Sequence, residues 1–131
     1  MKTIEKNTDL GVLIFRILVA GLLIFHGMGN LLSGYAFIKS MMVQSGLPEF
    51  MSYGAFIGEI IAPILIIIGY RARLSALFVA LTMLIAILTT HAGEIFTLNQ
   101  FGGWAIELQA FYLFGAIAIF LTGSGKYALN D

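Results

Sequence analysis

The sequence predicts an all-α integral membrane protein, a bundle of four transmembrane helices with both termini in the cytoplasm. Of its 131 residues, 60% are hydrophobic and only 11% are charged, and the mean hydropathy is +0.97, which is far too apolar for a soluble domain of this size. A helix needs about 20 apolar residues to cross the hydrocarbon core of a bilayer. Four stretches qualify, at residues 10–32, 51–70, 74–90 and 104–121.

The distribution of basic residues predicts the orientation of these helices. With four spans, the two termini and the turn at residues 71–73 lie on the same side of the membrane. Five basic residues belong to that side: Lys2, Lys6, Arg71, Arg73 and Lys126. The opposite loops hold only Lys39. Because cytoplasmic loops carry the excess of lysine and arginine, we expect the side with the termini to be cytoplasmic.

Each element has its own signal in the sequence. Residues 10–32 are too long for the core of a signal peptide, contain Arg16 and precede no convincing cleavage site, so they are interpreted as a retained helix. Residues 33–49 form the longest loop, in which 35–43 are expected to be a short helix on the outer surface. The 71–73 connection is so tight that the helices it joins must be antiparallel neighbours. The last stretch begins at Trp104, an aromatic residue typical of membrane interfaces. We expect residues 1–131 to form one domain.

Charge and cysteine content exclude several classes of function. The formal net charge is zero and no basic tract is present, so nucleic acid is not an expected partner. The chain contains no cysteine, which excludes structural disulfides, thiolate metal sites and thiol chemistry within it. Any redox role therefore requires a bound cofactor or a partner protein.

Two charged residues lie deep inside the predicted spans. Arg16 is about 9 Å from the inner end of its helix, and its side chain either reaches the cytoplasmic phosphates or faces inward and pairs with a carboxylate. Glu59 is about 12 Å from the outer end of its helix, too deep for a glutamate to reach the surface. It must face the bundle interior, where it pairs with Arg16, carries a proton or faces a cavity open to the outside. Pro63, one turn later on the same face, removes the backbone donor for the Glu59 carbonyl and opens the helix locally.

Further polar residues belong to the outer half of the bundle. His26 lies about 9 Å below the outer end of the first helix, His91 ends the third helix, and Glu107 lies about 5 Å below the outer interface. Gln109 points away from the face that carries Glu107, so Glu107 is the better site candidate. Membrane histidines are usually structural, and interfacial carboxylates are usually solvated. The presence of all of these groups with Glu59, one from each helix, nevertheless predicts an outward-facing polar pocket.

Six segments, in their order along the chain, carry a family resemblance. They are FRILVAGLLIFHGMGNLLSG from Phe15, SGLP from Ser45, GEIIAPILIIIGYRARLSAL from Gly58, TTHAGEIF from Thr89, GGWAIELQ from Gly102, and the terminal GSGKYALND. Together they resemble the DoxX family of small four-span bacterial membrane proteins. The resemblance covers nearly the whole chain and implies a helical bundle in the cytoplasmic (inner) membrane.

The resemblance also implies which polar positions matter. Five positions at which such proteins recurrently carry polar groups are occupied by Arg16, His26, Glu59, His91 and Glu107. Asn30 stands where lysine is frequent in the family. The missing cation argues against a role that needs an anion bound on the outer side.

Some members of this family are subunits of quinone-linked sulfur-compound oxidoreductases, or are associated with membrane complexes that handle oxidative stress. The leading hypothesis is therefore an auxiliary redox subunit that binds a quinone or a similar lipid-soluble molecule. The candidate ligand-binding residues are His26, His91, Glu107 and Asn30. The candidate catalytic residues are Glu59 and Arg16, which would relay the proton that accompanies electron transfer.

Two alternatives remain open. In the first, His26 and His91 bind a haem or a metal ion between two helices, although no H-x-x-x-H or E-x-x-H spacing supports this. In the second, the chain is a non-catalytic anchor or scaffold, and an Arg16–Glu59 pair only fixes the helix register. The expected partners are the lipid bilayer, proteins of a redox complex and further copies of the chain. Whether the chain itself is an enzyme stays open.

Overall fold

The computed structural model describes residues 6–129, which are helical for most of their length and contain no β-strand. The helices are α1 (Thr8–Leu32), α2 (Ala36–Gln44), α3 (Glu49–Ile68), α4 (Ala72–Thr90) and α5 (Glu107–Thr122). One short 3₁₀ turn, Ala92–Glu94, follows α4. The all-α class is thus confirmed for the described residues.

Helix α1 begins two residues before the predicted start because Asn7 caps it. The Asn7 side-chain oxygen accepts a hydrogen bond of 3.1 Å from the backbone N–H of Leu10, which satisfies one of the free donors of the first turn. Its buried side chains recur every three or four residues, as expected for one face of a helix: Arg16, Val19, Ala20, Leu23 and Gly27. This face points into the bundle.

Helix α3 changes its geometry along its length. It begins as a 3₁₀ helix at Glu49–Tyr53 and widens into a π-helical turn at Ile57–Ile61, immediately before Pro63. Proline provides no N–H for the preceding turn, so the widening is a direct consequence of the sequence. The helix ends where Gly69 adopts φ 75°. The local opening predicted beside Glu59 is therefore present as a π turn.

Two shorter connections also follow the predictions. After Gly69, the chain reverses at Arg71, whose φ is 48°, and enters α4 at Ala72. This turn makes α3 and α4 antiparallel neighbours, as the tight connection required. The short helix expected at residues 35–43 is α2, Ala36–Gln44.

The four long helices close into a bundle in the order α1, α3, α4, α5, with each helix packing on the next and α5 packing back on α1. The core between them is formed by small and branched apolar side chains. Its members are Val19, Ala20, Leu23, Ala62, Ile66, Ala76, Val79, Met83, Tyr112, Ala116 and Ile119. Both ends of the described chain lie at one end of the bundle, here called the terminal end. Helix α2 and residues 91–106 lie at the opposite end.

The fourth helix differs from the prediction. It was expected to begin at Trp104, but α5 begins at Glu107. The preceding residues instead form a compact loop in which the Asn99 side-chain oxygen accepts from the backbone N–H groups of Phe101 and Gly103. Trp104 pairs with Leu98 in an isolated bridge and donates its indole N–H to the Ile95 carbonyl. These side-chain contacts compete with helix formation, which shortens the helix by one turn.

Three described helices, α1, α3 and α4, are long and apolar enough to cross a membrane. Helix α5 has 16 residues and is about 24 Å long, shorter than a hydrocarbon core of about 30 Å. The four-span count and the cytoplasmic location of the termini therefore stay predictions. So does the single-domain assignment. Lys2, one of the five basic residues used for the orientation, lies outside the described residues.

Candidate functional site

Glu59 lies at the centre of the candidate site. Its side chain is 3% exposed and belongs to the π turn of α3. The Asn30 amide on α1 donates a hydrogen bond of 2.8 Å to the Glu59 Oε2 atom. A buried carboxylate needs such partners, because an unsatisfied charge in the bundle is costly. Asn30 thus contacts Glu59 directly, at a position selected from sequence for a different reason.

The helices approach very closely around this carboxylate. A Cβ atom at Gly27 would lie 2.7 Å from the Glu59 carbonyl oxygen and 2.8 Å from Glu59 Cβ. On the other side of α3, a Cβ atom at Gly58 would overlap the Thr82 side chain. The two glycines therefore let α1 and α4 press against the π turn, which fixes where Glu59 lies.

Three aromatic residues lie near Glu59. His26, Tyr35 and Tyr112 are all close enough to interact electrostatically with its charge. His26 and Tyr112 contact each other, with ring centroids 6.2 Å apart. His26 is nevertheless exposed on the outside of the bundle, whereas Tyr112 is buried. The prediction that His26 lies near Glu59 agrees with this placement, although the two side chains share no hydrogen bond.

Tyr35 is a feature that the sequence did not reveal. It adopts φ 61°, a left-handed conformation that is uncommon for a residue with a bulky side chain. The residue is 4% exposed, and its hydroxyl has no hydrogen-bond partner within residues 6–129. Burial raises the pKa of this hydroxyl above its usual value of about 10, and the nearby Glu59 charge raises it further. The hydroxyl therefore keeps its proton at neutral pH.

A cavity of about 350 Å³ opens between α2, α3 and α4. Apolar side chains form most of its surface, including Met41, Met42 and Met51. Among residues 6–129, Glu59 is the only charged residue that lines it. The other polar side chains at its surface are Ser52, Thr82, Thr89 and Thr90. The hydroxyl residues were not singled out from the sequence, although Thr82 and Thr89 are seven residues apart on one face of α4, a detectable spacing.

Arg16 has a different environment from either of the two that were predicted. It is 0% exposed, so it does not reach out toward lipid phosphates. Its guanidinium donates to the carbonyls of Ile66 and Ile67 at the end of α3, and to those of Ser124 and Tyr127 in the C-terminal segment, at 2.7–2.9 Å. Glu59 lies about two turns before Ile66 in α3 and accepts from Asn30 instead. The direct Arg16–Glu59 contact, one of the alternatives from sequence, does not form.

His91, Gln109 and Glu107 lie apart from Glu59. His91 Nδ1 is 2.9 Å from Glu94 Oε2, and its Nε2 is 3.3 Å from the Gln109 amide nitrogen. Gln109, set aside from sequence as pointing the other way, therefore reaches His91. Glu107 is exposed and accepts a hydrogen bond of 3.3 Å from Asn99. The predicted residues thus divide into an inner group around Glu59 and a second group at the loop end of the bundle.

The metal hypothesis gains no support from this geometry. His26 contacts Tyr112, whereas His91 bonds to Glu94 and Gln109. Within residues 6–129, no three or more histidine, aspartate or glutamate side chains converge as metal ligands. In the described residues, His26 and His91 thus have different partners.

Comparisons with known proteins add two relatives of similar length. The chain is 28% identical to the "Putative oxidoreductase CatD" of Bacillus subtilis (strain 168) over 126 residues, which cover 96% of this chain and 89% of the relative. It is also 28% identical to the "Inner membrane protein YqjF" of Escherichia coli (strain K12) over 127 residues, which cover 96% and 94%. No solved structure matches the chain.

A family model described as DoxX matches residues 11–92, which is more than half of the chain. This segment contains Glu59, Asn30 and every residue that lines the cavity. The apolar helices and the inner-membrane relative identify the chain as a multi-pass protein of the inner membrane. By sequence and by the residues matched, the chain belongs to the DoxX family.

Proposed function

We propose that this protein is an auxiliary membrane subunit of a redox system, and that the cavity between α2, α3 and α4 binds a quinone or a similar lipid-soluble molecule. The observation that carries the proposal is a largely apolar cavity of about 350 Å³ in which Glu59 is the one charged residue of the described lining. Ligand sites in proteins are typically concave, mostly apolar and about 300–1,000 Å³ in volume, with a few polar groups that orient the ligand.

The position of Glu59 supports a role in the chemistry of the ligand. A carboxylate that is buried inside a membrane protein is costly, and such groups mark ligand or proton sites by default. Here the side chain is held by Asn30 on one side and lines the cavity on the other. Glu59 is therefore proposed to hydrogen-bond the head group of the ligand and to exchange the proton that accompanies its redox change.

The assignment to a redox system rests on two further observations. One relative, CatD, has the word oxidoreductase in its name. This chain contains no cysteine, so its own side chains provide no thiol chemistry. Electrons must then be carried by a bound molecule and exchanged with a partner protein, which makes this chain a binding subunit. Arg16 has no part in this proposal, because its contacts lie at the terminal end of the bundle.

The test is to fill the cavity from one side of α4. Ala86 lines the cavity, so Ala86→Phe places a ring in it. Leu88→Phe on the same helix is the matched control, because Leu88 is 59% exposed on the outside of the bundle. The protein in lipid nanodiscs is labelled with a photoreactive naphthoquinone, and the labelled peptides are mapped by mass spectrometry. Labelling of α2, α3 and α4 should be lost in Ala86→Phe and kept in Leu88→Phe.

Two outcomes would contradict the proposal. Equal labelling of both variants would place the quinone outside the cavity. Absence of saturable labelling in the wild-type protein would favour the anchor or scaffold alternative. Native mass spectrometry of the protein purified in mild detergent would identify, in the same preparation, any lipid-soluble molecule and any partner protein that remains bound.

A further inference from the structure

When Glu59 is ionised, the polar side chains described in the cavity lining share one property: each has a free acceptor position and none has a hydrogen left to donate. This property follows from the hydrogen bonds that the lining hydroxyls already make. Ser52 donates to the carbonyl of Glu49 at 2.8 Å, Thr82 to that of Phe78 at 2.8 Å, and Thr89 to that of Ile85 at 2.7 Å.

The remaining hydroxyl is also committed. The Thr90 oxygen is 3.4 Å from the Thr89 oxygen, and either could be the donor on geometry alone. Because the Thr89 hydrogen already points to the Ile85 carbonyl, Thr90 is the donor in this contact. The oxygens of all four hydroxyls keep lone pairs, whereas their hydrogens are used within the protein.

The ionised Glu59 side chain contributes three more acceptor positions. The Asn30 amide donates to Oε2, and a carboxylate has four lone-pair positions in total. The methionine sulfurs in the lining are weak acceptors only. One buried hydroxyl without a partner exists within residues 6–129, that of Tyr35, but Tyr35 does not line the cavity.

From this complementarity we infer that the cavity selects a lipid-soluble molecule whose polar end donates hydrogen bonds, so that the reduced, hydroxyl-bearing form of a quinone is bound in preference to the oxidised form. The inference rests on the proposed function and specifies its ligand. A quinone carbonyl placed against Glu59 would set two acceptors against each other and leave both unsatisfied, whereas a hydroquinone hydroxyl donates to the carboxylate. A site whose groups are left unpaired by one form discriminates strongly against that form.

Three probes with the same ring system test this selectivity. They are 1,4-naphthoquinone, its hydroquinone kept reduced with dithionite, and the dimethyl ether of the hydroquinone, in which both donors are capped. Because the chain has no cysteine, the quinone has no thiol to react with. Equilibrium dialysis against protein in nanodiscs, with empty nanodiscs subtracted, gives the three dissociation constants. We expect the hydroquinone to bind at least about tenfold more tightly than either acceptor-only probe, a difference of about 1.4 kcal/mol.

Variants assign the selectivity to the cavity. Glu59→Gln introduces an amide donor, so the preference for the hydroquinone should disappear or reverse. Glu49→Gln is the matched control on the same helix, because Glu49 is exposed and does not line the cavity, and it should keep the preference. If Glu59→Gln does not fold, Thr89→Val replaces it. That variant removes one acceptor and frees the Thr90 hydrogen. The difference in affinity between the hydroquinone and the quinone should therefore become smaller.

The outcomes separate this inference from the proposed function. If naphthoquinone binds as tightly as its hydroquinone, the selectivity is refuted while a quinone-binding cavity still stands. If none of the three probes binds above empty nanodiscs, the proposed function fails, and the inference fails with it. A preference for the hydroquinone that persists in both Glu59→Gln and Thr89→Val would also overturn the inference. The hydroquinone hydroxyls would then donate to groups outside the cavity.

Discussion

The hydrogen bond between Asn30 and Glu59 joins the two helices that enclose the candidate site. It links α1 to the π turn of α3 over 2.8 Å, and the Glu59 side chain that accepts it is buried. A carboxylate in such a place depends on each polar partner that it has, because the low dielectric of the interior makes an unpaired charge expensive. Where many relatives are expected to carry lysine, this chain satisfies the carboxylate with a neutral amide.

Removing the amide should therefore destabilise the bundle through Glu59. We expect Asn30→Leu to lower the free energy of unfolding in detergent by about 1–3 kcal/mol, because the buried carboxylate loses a donor. In a Glu59→Leu background the same substitution should cost much less. A double-mutant cycle measured by denaturant unfolding isolates this coupling. Equal costs in both backgrounds would show that the two side chains act independently.

Part of this site was predictable from single residues and part was not. Glu59 had to be buried because it is too short to reach the surface from its depth. Its partner depended on how α1 and α3 rotate about their own axes, and local sequence does not fix this rotation. In a membrane bundle the lipid-facing residues are as apolar as the core: Leu18 is 47% exposed and the next residue, Val19, is 1% exposed. The burial of Glu59 was predicted correctly. The partner of Arg16 was left open between lipid phosphates and a carboxylate, and neither alternative included the backbone carbonyls that it contacts.

At the scale of elements, close packing of α1 against α3 is set by one glycine. Gly27 contacts the Glu59 backbone, whereas Gly29 on the same helix has no neighbouring atom within reach of an added Cβ. The two positions share a helix and a residue type but differ in packing. Alanine substitutions at these two positions therefore test which has the larger effect on stability, the close contact between α1 and α3 or the helix propensity of the residue.

Gly27→Ala should destabilise the protein by about 1–3 kcal/mol, since the added carbon forces α1 away from the π turn. Gly29→Ala should be neutral or stabilise the protein by up to about 1 kcal/mol, because alanine favours a helix more than glycine does. Thermal unfolding of both variants, monitored by circular dichroism in the same detergent, gives the comparison. Similar melting temperatures for the two would argue against tight packing at Gly27.

Helix ends show where sequence patterns suffice. The bounds of α1, α3 and α4 follow the long apolar runs of the sequence, so they were predicted to within about two residues. The start of α5 depends instead on Asn99 accepting from two backbone N–H groups and on the Trp104 indole reaching Ile95. These are contacts made by side chains within a loop, and the hydropathy of the sequence does not predict them.

The C-terminal segment is attached to the bundle by Arg16. Within residues 6–129, its guanidinium donates to the carbonyls of Ser124 and Tyr127 in this segment. Replacing it with Gln removes charge-assisted hydrogen bonds worth about 1.5–3 kcal/mol each. We expect Arg16→Gln to lower the opening free energy of residues 124–129 by about 2 kcal/mol, which raises amide exchange there about 30-fold.

Hydrogen exchange followed by mass spectrometry measures this effect. Arg71→Gln is the control, because Arg71 is an exposed arginine in the α3–α4 turn. Exchange in α1 and α4 should change little in either variant. Unchanged exchange at residues 124–129 in Arg16→Gln would show that Arg16 does not hold this segment.

At the scale of the whole molecule, the number of membrane crossings decides the orientation. Three described helices are long enough to span, and the 16-residue α5 is shorter. With three crossings the two termini would lie on opposite sides of the membrane. The structure instead holds them together: the Asp9 carboxylate accepts a hydrogen bond of 3.0 Å from the backbone N–H of Lys126. This contact favours four crossings, with local bilayer thinning or the flanking loop compensating for the short helix.

A chain without cysteine is well suited to a direct test of this topology. Single-cysteine variants are placed at Lys6 and Lys126 on the terminal end and at Ser45 between α2 and α3, and each is treated with a membrane-impermeant maleimide. We expect Ser45→Cys to be labelled in spheroplasts, and Lys6→Cys and Lys126→Cys only after the membrane is permeabilised, because the basic residues at the terminal end favour the cytoplasm. Labelling of Lys126→Cys but not Lys6→Cys in intact spheroplasts would mean that α5 does not cross. Labelling of both termini, with Ser45→Cys protected, would reverse the orientation and with it the side from which a ligand reaches Glu59.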